Sequence, residues 1–142
     1  VSLPVSVKDS PVAKMMIDEL IVRKKKVEKL ERTRNQTGIS LFILLIGLLF
    51  FGFDWTGYGL LGLPIHVKGS FGMLLFVCAA AGVARLMHVT KKTDKADHEF
   101  EELREELIQR SEDFWKDDHN WKQRETIFKQ LVERYDINLF HR

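Results

Sequence analysis

Two uninterrupted apolar runs organise this chain. From Thr37 to Phe53 no charged residue occurs, and the centre of the run reads LFILLIGLLFFGF. As a helix these seventeen residues span roughly 25 Å, at about 1.5 Å per residue. Gly69 to Ala84 is the second uncharged run, built on FGMLLFVCAAAGVA. Arg85 can snorkel toward water, so Leu86, Met87 and Val89 lengthen that segment. Both runs approach the length of about 20 residues that a membrane-spanning helix needs. Helices apolar on every side are expected in a bilayer, because a chain this short has too little amphipathic material to cover two of them. The pattern therefore predicts an all-α membrane protein. Its parts are an N-terminal arm (1–37), a first transmembrane helix (38–54), a connecting loop (55–68), a second transmembrane helix (69–89) and a C-terminal region (90–142).

The flanking stretches carry helical periodicity instead. In the N-terminal arm Ser10 is a candidate cap, Pro11 suits the first helical position, and no Gly or Pro follows before Gly38. Ala13, Met16, Ile17, Leu20, Val27 and Leu30 fall close to one heptad seam. In the C-terminal region Phe100, Leu107, Phe114, Trp121, Phe128 and Tyr135 recur every seven residues. Leu103 and Leu131 take the complementary position, whereas Arg110, Asp117 and Arg124 interrupt it. This favours coiled-coil-like helical arms over one continuous coiled coil. The stretch DFWKDDHNW reads as a break, with Asn120 as N-cap and Gln123 completing a capping box. One helix is expected from about Asp94 to Trp115 and another from about Trp121 to Tyr135, with DINLFHR as a tail.

Charge distribution sets an orientation. Residues 1–37 hold nine Lys/Arg against five acids, residues 38–89 only Asp54, Lys68 and Arg85, and residues 90–142 eleven bases against fourteen acids. Seven of the basic residues lie in the eighteen positions before Gly38, and Arg85, Lys91, Lys92 and Lys95 follow the second span. The loop holds one Lys. Basic flanks stay cytoplasmic, so a transmembrane hairpin with both termini inside and residues 55–68 outside is expected. Trp55 and Tyr58 fit the interfacial aromatic belt, and the loop's Gly57, Gly59, Gly62, Pro64 and His66 fit a chain turning in the headgroup region. Lys24, Lys25 and Lys26 form a basic band that could contact anionic lipid headgroups or simply enforce topology. The 37 mostly polar residues before the first span are too many for the basic head of a cleavable signal. The arms carry opposite net charge, so the N-terminal arm is expected to pack antiparallel to the first C-terminal helix. The second C-terminal helix would fold back or pair with a neighbouring subunit. Small residues four apart, Cys78 with Gly82 and Ala80 with Ala84, would allow close helix contact in the membrane.

Candidate chemistry is sparse. Cys78, the single cysteine, cannot form an internal disulfide and reads as a small buried thiol. His98 and Glu102 share a helix face with Glu105 beyond, yet a di-iron carboxylate site needs Glu-x-x-His pairs from several helices. A solvated face explains them better, and a helix break explains Asp117, Asp118 and His119 better than a metal does. There is no phosphate-binding Gly-rich loop and no nucleophile elbow. Neither span has an ionisable residue near its middle, which argues against a proton relay. No catalytic residue, metal site or cofactor is expected, and nucleic acid has only the lysine band to recommend it.

The segments SPVAKMMIDELIVRKKKVEKLE and WKQRETIFKQLVERYDINLFHR, placed on either side of the hairpin, resemble the YpbF-like family of small uncharacterised membrane proteins of Bacillus relatives. That resemblance covers nearly the whole chain. It implies a bacterial plasma membrane protein without an established activity and transfers no site residues.

The expected function is a non-enzymatic membrane scaffold or regulatory subunit that presents a helical cytoplasmic surface to a protein partner. A homo-oligomer is expected with it, because six aromatic-seam positions exceed what one short N-terminal arm buries. The competing reading is a pore-forming or transport accessory subunit built from oligomerised hairpins.

Overall fold

A computed structural model of the chain describes residues 11–54, 66–115 and 118–140; the side chains of His66 and of residues 118–121 lie outside that description. Helix α1 runs Pro11–Gly47 and continues into a π-helical turn, Leu48–Gly52. Two short strands follow, β1 (Phe53–Asp54) and β2 (His66–Val67), then α2 (Gly69–Phe114) and α3 (Asp118–Tyr135). The all-helical expectation therefore holds. Helices α1 and α2 run unbroken through residues 37 and 89, where each arm meets the apolar run beside it. A change from apolar to charged side chains does not by itself end a helix; no Gly or Pro follows Gly82, and a single Gly such as Gly38 is tolerated within α1 at a cost of about 1 kcal/mol.

The chain divides into two compact units, one from the described residues up to Lys29 together with those from Asp94 on, the other Leu30–Thr93. In the second unit, Phe53 pairs with Val67 and Asp54 with His66 in an antiparallel register. The amide of Lys68 donates to the carbonyl of Gly52 at 2.7 Å. Gly69 opens α2 at φ +56°, a left-handed conformation that costs a side-chain-bearing residue energy. The two helices then pass in opposite directions and touch through small residues. A Cβ on Gly72 would stand 2.5 Å from the Gly52 carbonyl oxygen, and one on Gly82 would stand 2.8 Å from Leu41 Cδ1. Ala79 is buried between them in sequence. The small pairs expected from spacing were displaced by one face. Gly82 is at the contact, but Cys78, Ala80 and Ala84 are exposed, so Cys78 is an outward-facing thiol and not a buried one.

Both helices contain an apolar window long enough to cross a membrane, and only 17% and 11% of those windows is buried inside the protein. Phe42, Ile43, Phe50, Phe51, Phe71, Leu74 and Val77 all point outward. A helix in a soluble core hides its apolar side chains; these two display them on every free side.

The first unit has an ordinary buried core. Ala13, Ile17 and Leu20 of α1, Leu107 of α2, Phe128 and Leu131 of α3, and Ile137 and Leu139 beyond it are each at most 2% exposed. Helix α3 thus folds back on its own chain. Asp136 ends it at φ +53°, and the Asp136 and Ile137 amides donate to the carbonyls of Val132 and Leu131. This left-handed cap turns the tail inward and buries Ile137 and Leu139. Asn120 lies inside α3 rather than ahead of it, so the expected capping box at Asn120–Gln123 is not how the helix begins.

Candidate interaction surfaces

The aromatic heptad positions do not share one fate. Phe100, Leu107 and Phe128 are buried, Phe114 and Tyr135 are half-buried, and the Trp121 side chain lies outside the described residues. Phe114 turns outward because the buried stripe at the end of α2 advances by fours. Leu107, Ser111 and Trp115 are the buried positions there. Two four-residue steps carry the stripe about 80° around a helix of 3.6 residues per turn, whereas one heptad holds it within about 20°. Trp115 therefore takes the place the heptad assigns to Phe114. Its ring meets Phe128 edge-on at 6.0 Å, and Phe128 meets Phe140 edge-on at 5.6 Å. Buried Ser111 remains satisfied by donating to the Ile108 carbonyl at 2.6 Å. Trp115, Ile127, Ile137 and Leu139 are buried as well, and the heptad spacing does not single them out.

Within one chain, Phe100, Leu107 and Phe128 of this seam are buried. Among its described residues the unit leaves exposed a charged outer face together with Val12, Met15 and Val22 of α1, Val132 of α3 and Phe140.

Each lysine of the basic band has a partner within the same unit. Lys24 Nζ sits 5.6 Å from the centre of the Phe100 ring, and Lys25 Nζ 5.6 Å from that of Tyr135. Lys26 Nζ lies 3.9 Å from a Glu99 carboxylate oxygen. Neighbouring Arg23 donates to the Glu99 carbonyl at 2.8 Å and to the Glu19 carboxylate at 2.9 Å. A groove of about 470 Å³ is lined by Lys24, Lys25 and Arg134 and equally by Glu28, Glu133 and Asp136, so it has no preference for anions.

His98 Nε2 and Glu102 Oε1 are 3.1 Å apart as an exposed i,i+4 pair. Among the described residues no group of three or more His, Cys, Asp or Glu is placed to hold a metal ion.

A second cleft belongs to the other unit. It measures about 490 Å³ and opens where the uncharged runs give way to charge. From α1 it takes Thr33, Gln36, Thr37 and Ser40, spaced i, i+3, i+4 and i+7 on one face, above Leu41 and Leu44; from α2 it takes Gly82 and Arg85.

Residues 16–142 match the model of a family described as "Protein of unknown function (DUF2663)". The chain is 29% identical over 136 residues to "Uncharacterized protein YpbF" of Bacillus subtilis (strain 168), an alignment covering 93% of this chain and 89% of that protein. No solved structure matches.

Proposed function

This chain belongs to the DUF2663 family, and within it we propose a non-enzymatic integral membrane protein that acts as a scaffold or regulatory subunit. In this reading α1 and α2 cross the bacterial plasma membrane as a hairpin, and both termini are cytoplasmic. The packed unit formed by α3 with the outer ends of α1 and α2 offers its charged helical face to a protein partner. The observation that carries the reading is the contrast between the two units. Residues 30–93 turn most of their large apolar side chains outward, while the other unit buries most of its own beneath a charged surface, with Val12, Met15, Val22, Val132 and Phe140 the exposed exceptions among the described residues. The seven basic residues ahead of the first span and those after the second support the orientation.

A reporter active only in the cytoplasm tests the topology. It should function before Val1 and after Arg142 and fail when inserted at Gly59; activity at Gly59 would reverse the assignment. Crosslinking in native membranes then tests partnership, and recovery of the uncrosslinked chain alone counts against a scaffold.

A further inference from the structure

We propose that the cleft between Gln36, Thr37 and Ser40 of α1 and Gly82 and Arg85 of α2 binds the phosphate group of an anionic ligand, with membrane phospholipid as its source. The proposal rests on the membrane reading for that source only. Arg85 makes no hydrogen bond or ion pair with any described residue, and neither do the side chains of Gln36, Thr37 and Ser40. A guanidinium facing a cleft of about 490 Å³ together with two hydroxyls and an amide is a set of unspent donors around one full positive charge. The planar fork of Arg matches two phosphate oxygens, and hydroxyls within the same cleft can serve the others. No carboxylate lines the cleft, so nothing internal competes for the charge.

The depth also fits. Arg85 stands sixteen residues beyond Gly69, about 24 Å along α2, near the thickness of a hydrocarbon core of about 30 Å. The floor is apolar, with Leu41 buried beneath the polar rim and Leu44 further down α1. That arrangement places phosphate donors at headgroup level and apolar wall where acyl chains begin. Gly82 closes its lower edge, where the helices approach so nearly that a side chain would meet Leu41. Basic pockets between spans on the cytoplasmic side are a recurrent solution to headgroup recognition.

The test uses the purified full chain in a neutral detergent and reads retained lipid by native mass spectrometry. Phosphatidylglycerol, phosphatidylcholine and water-soluble glycerol phosphate are titrated separately. Wild type should retain phosphatidylglycerol in preference to phosphatidylcholine. Arg85→Gln should weaken that binding by about tenfold or more, since hydrogen bonds to a charged group are lost with the charge. Arg85→Lys should recover part of it, Ser40→Leu should weaken it by blocking the cleft, and Lys91→Gln on the same helix should change nothing. Glycerol phosphate binding as tightly as phosphatidylglycerol, with the same dependence on Arg85, overturns the lipid source. Binding indifferent to Arg85→Gln, or lost equally on Lys91→Gln, overturns the site. Alkaline carbonate extraction of cells runs alongside. Release of wild type into the soluble fraction refutes membrane insertion, while Arg85-dependent binding of glycerol phosphate would still stand.

Discussion

Replacing Phe128 with Ala gives the sharpest separation between a heptad pattern and real packing. The Phe128 ring is 1% exposed and sits edge-on to Trp115 at 6.0 Å and to Phe140 at 5.6 Å. Truncating a fully buried Phe costs about 3–5 kcal/mol, from lost burial and from the cavity left when neighbours relax only in part. Phe114 occupies the equivalent place in the heptad, yet it is half-buried and has an edge-on contact only with adjacent Trp115 among the described rings. Its truncation should cost about 1–2 kcal/mol, the share of a large side chain's burial that it achieves. Hydrogen exchange of the full chain in micelles, followed on peptides from 122–140, reads the difference locally. At about 1.4 kcal/mol per tenfold, Phe128→Ala should lower protection by roughly two to three and a half orders of magnitude. Phe114→Ala should lower it by about one order of magnitude. Equal losses for the two variants would mean that the seven-residue repeat, and not the shifted stripe through Ser111 and Trp115, describes the core. No loss for Phe128→Ala would remove α3 from that core altogether.

Two further predictions concern backbone positions. Gly72→Ala should destabilise the helix pair by about 1–3 kcal/mol in reversible SDS unfolding, because its new Cβ meets a backbone carbonyl that cannot yield. Gly82→Ala should cost less, since the Leu41 methyl it meets can rotate; the reverse ranking would refute the contact. Asp136→Gly should be neutral or stabilising, and Asp136→Val destabilising by about 1–2 kcal/mol, because φ is +53° there. Thermal unfolding of the two variants checks the sign, and a stabilising Val would show that the left-handed cap does not form.

How much the sequence disclosed depends on the range over which each feature is written. The outward-facing apolar helices were legible because seventeen and sixteen consecutive residues without charge leave few alternatives. Phe100, Leu107 and Phe128 were legible through strict spacing. The exchange of Phe114 for Trp115 was not, since it depends on a polar residue, Ser111, occupying a buried position. Ile137 and Leu139 were illegible as well: after the left-handed turn at Asp136 they follow no helical period, and only the tertiary surface gives them a place. Thr33, Gln36, Thr37 and Ser40 lay in plain view as a polar face on one helix, but Arg85 joins them only once the close approach at Gly82 fixes the register. Cys78 shows the converse: a thiol in an apolar run has two faces available, and hydropathy alone does not choose between them.

The first unit is made of the beginning of the chain and its end, with the whole of the other unit written between them. During synthesis Arg23 must wait for Glu99, which is 76 residues later, and Lys25 must wait for Tyr135. Residues 30–93, by contrast, are contiguous and can fold as soon as they emerge. A nascent chain therefore passes through a stage in which the apolar stripe of α1 has been made and its cover has not, the kind of species that aggregates or engages chaperones. Lesions in α3 recreate that stage permanently in the finished protein. Their first consequence is accordingly a shortened lifetime in the cell, felt before any partner is met.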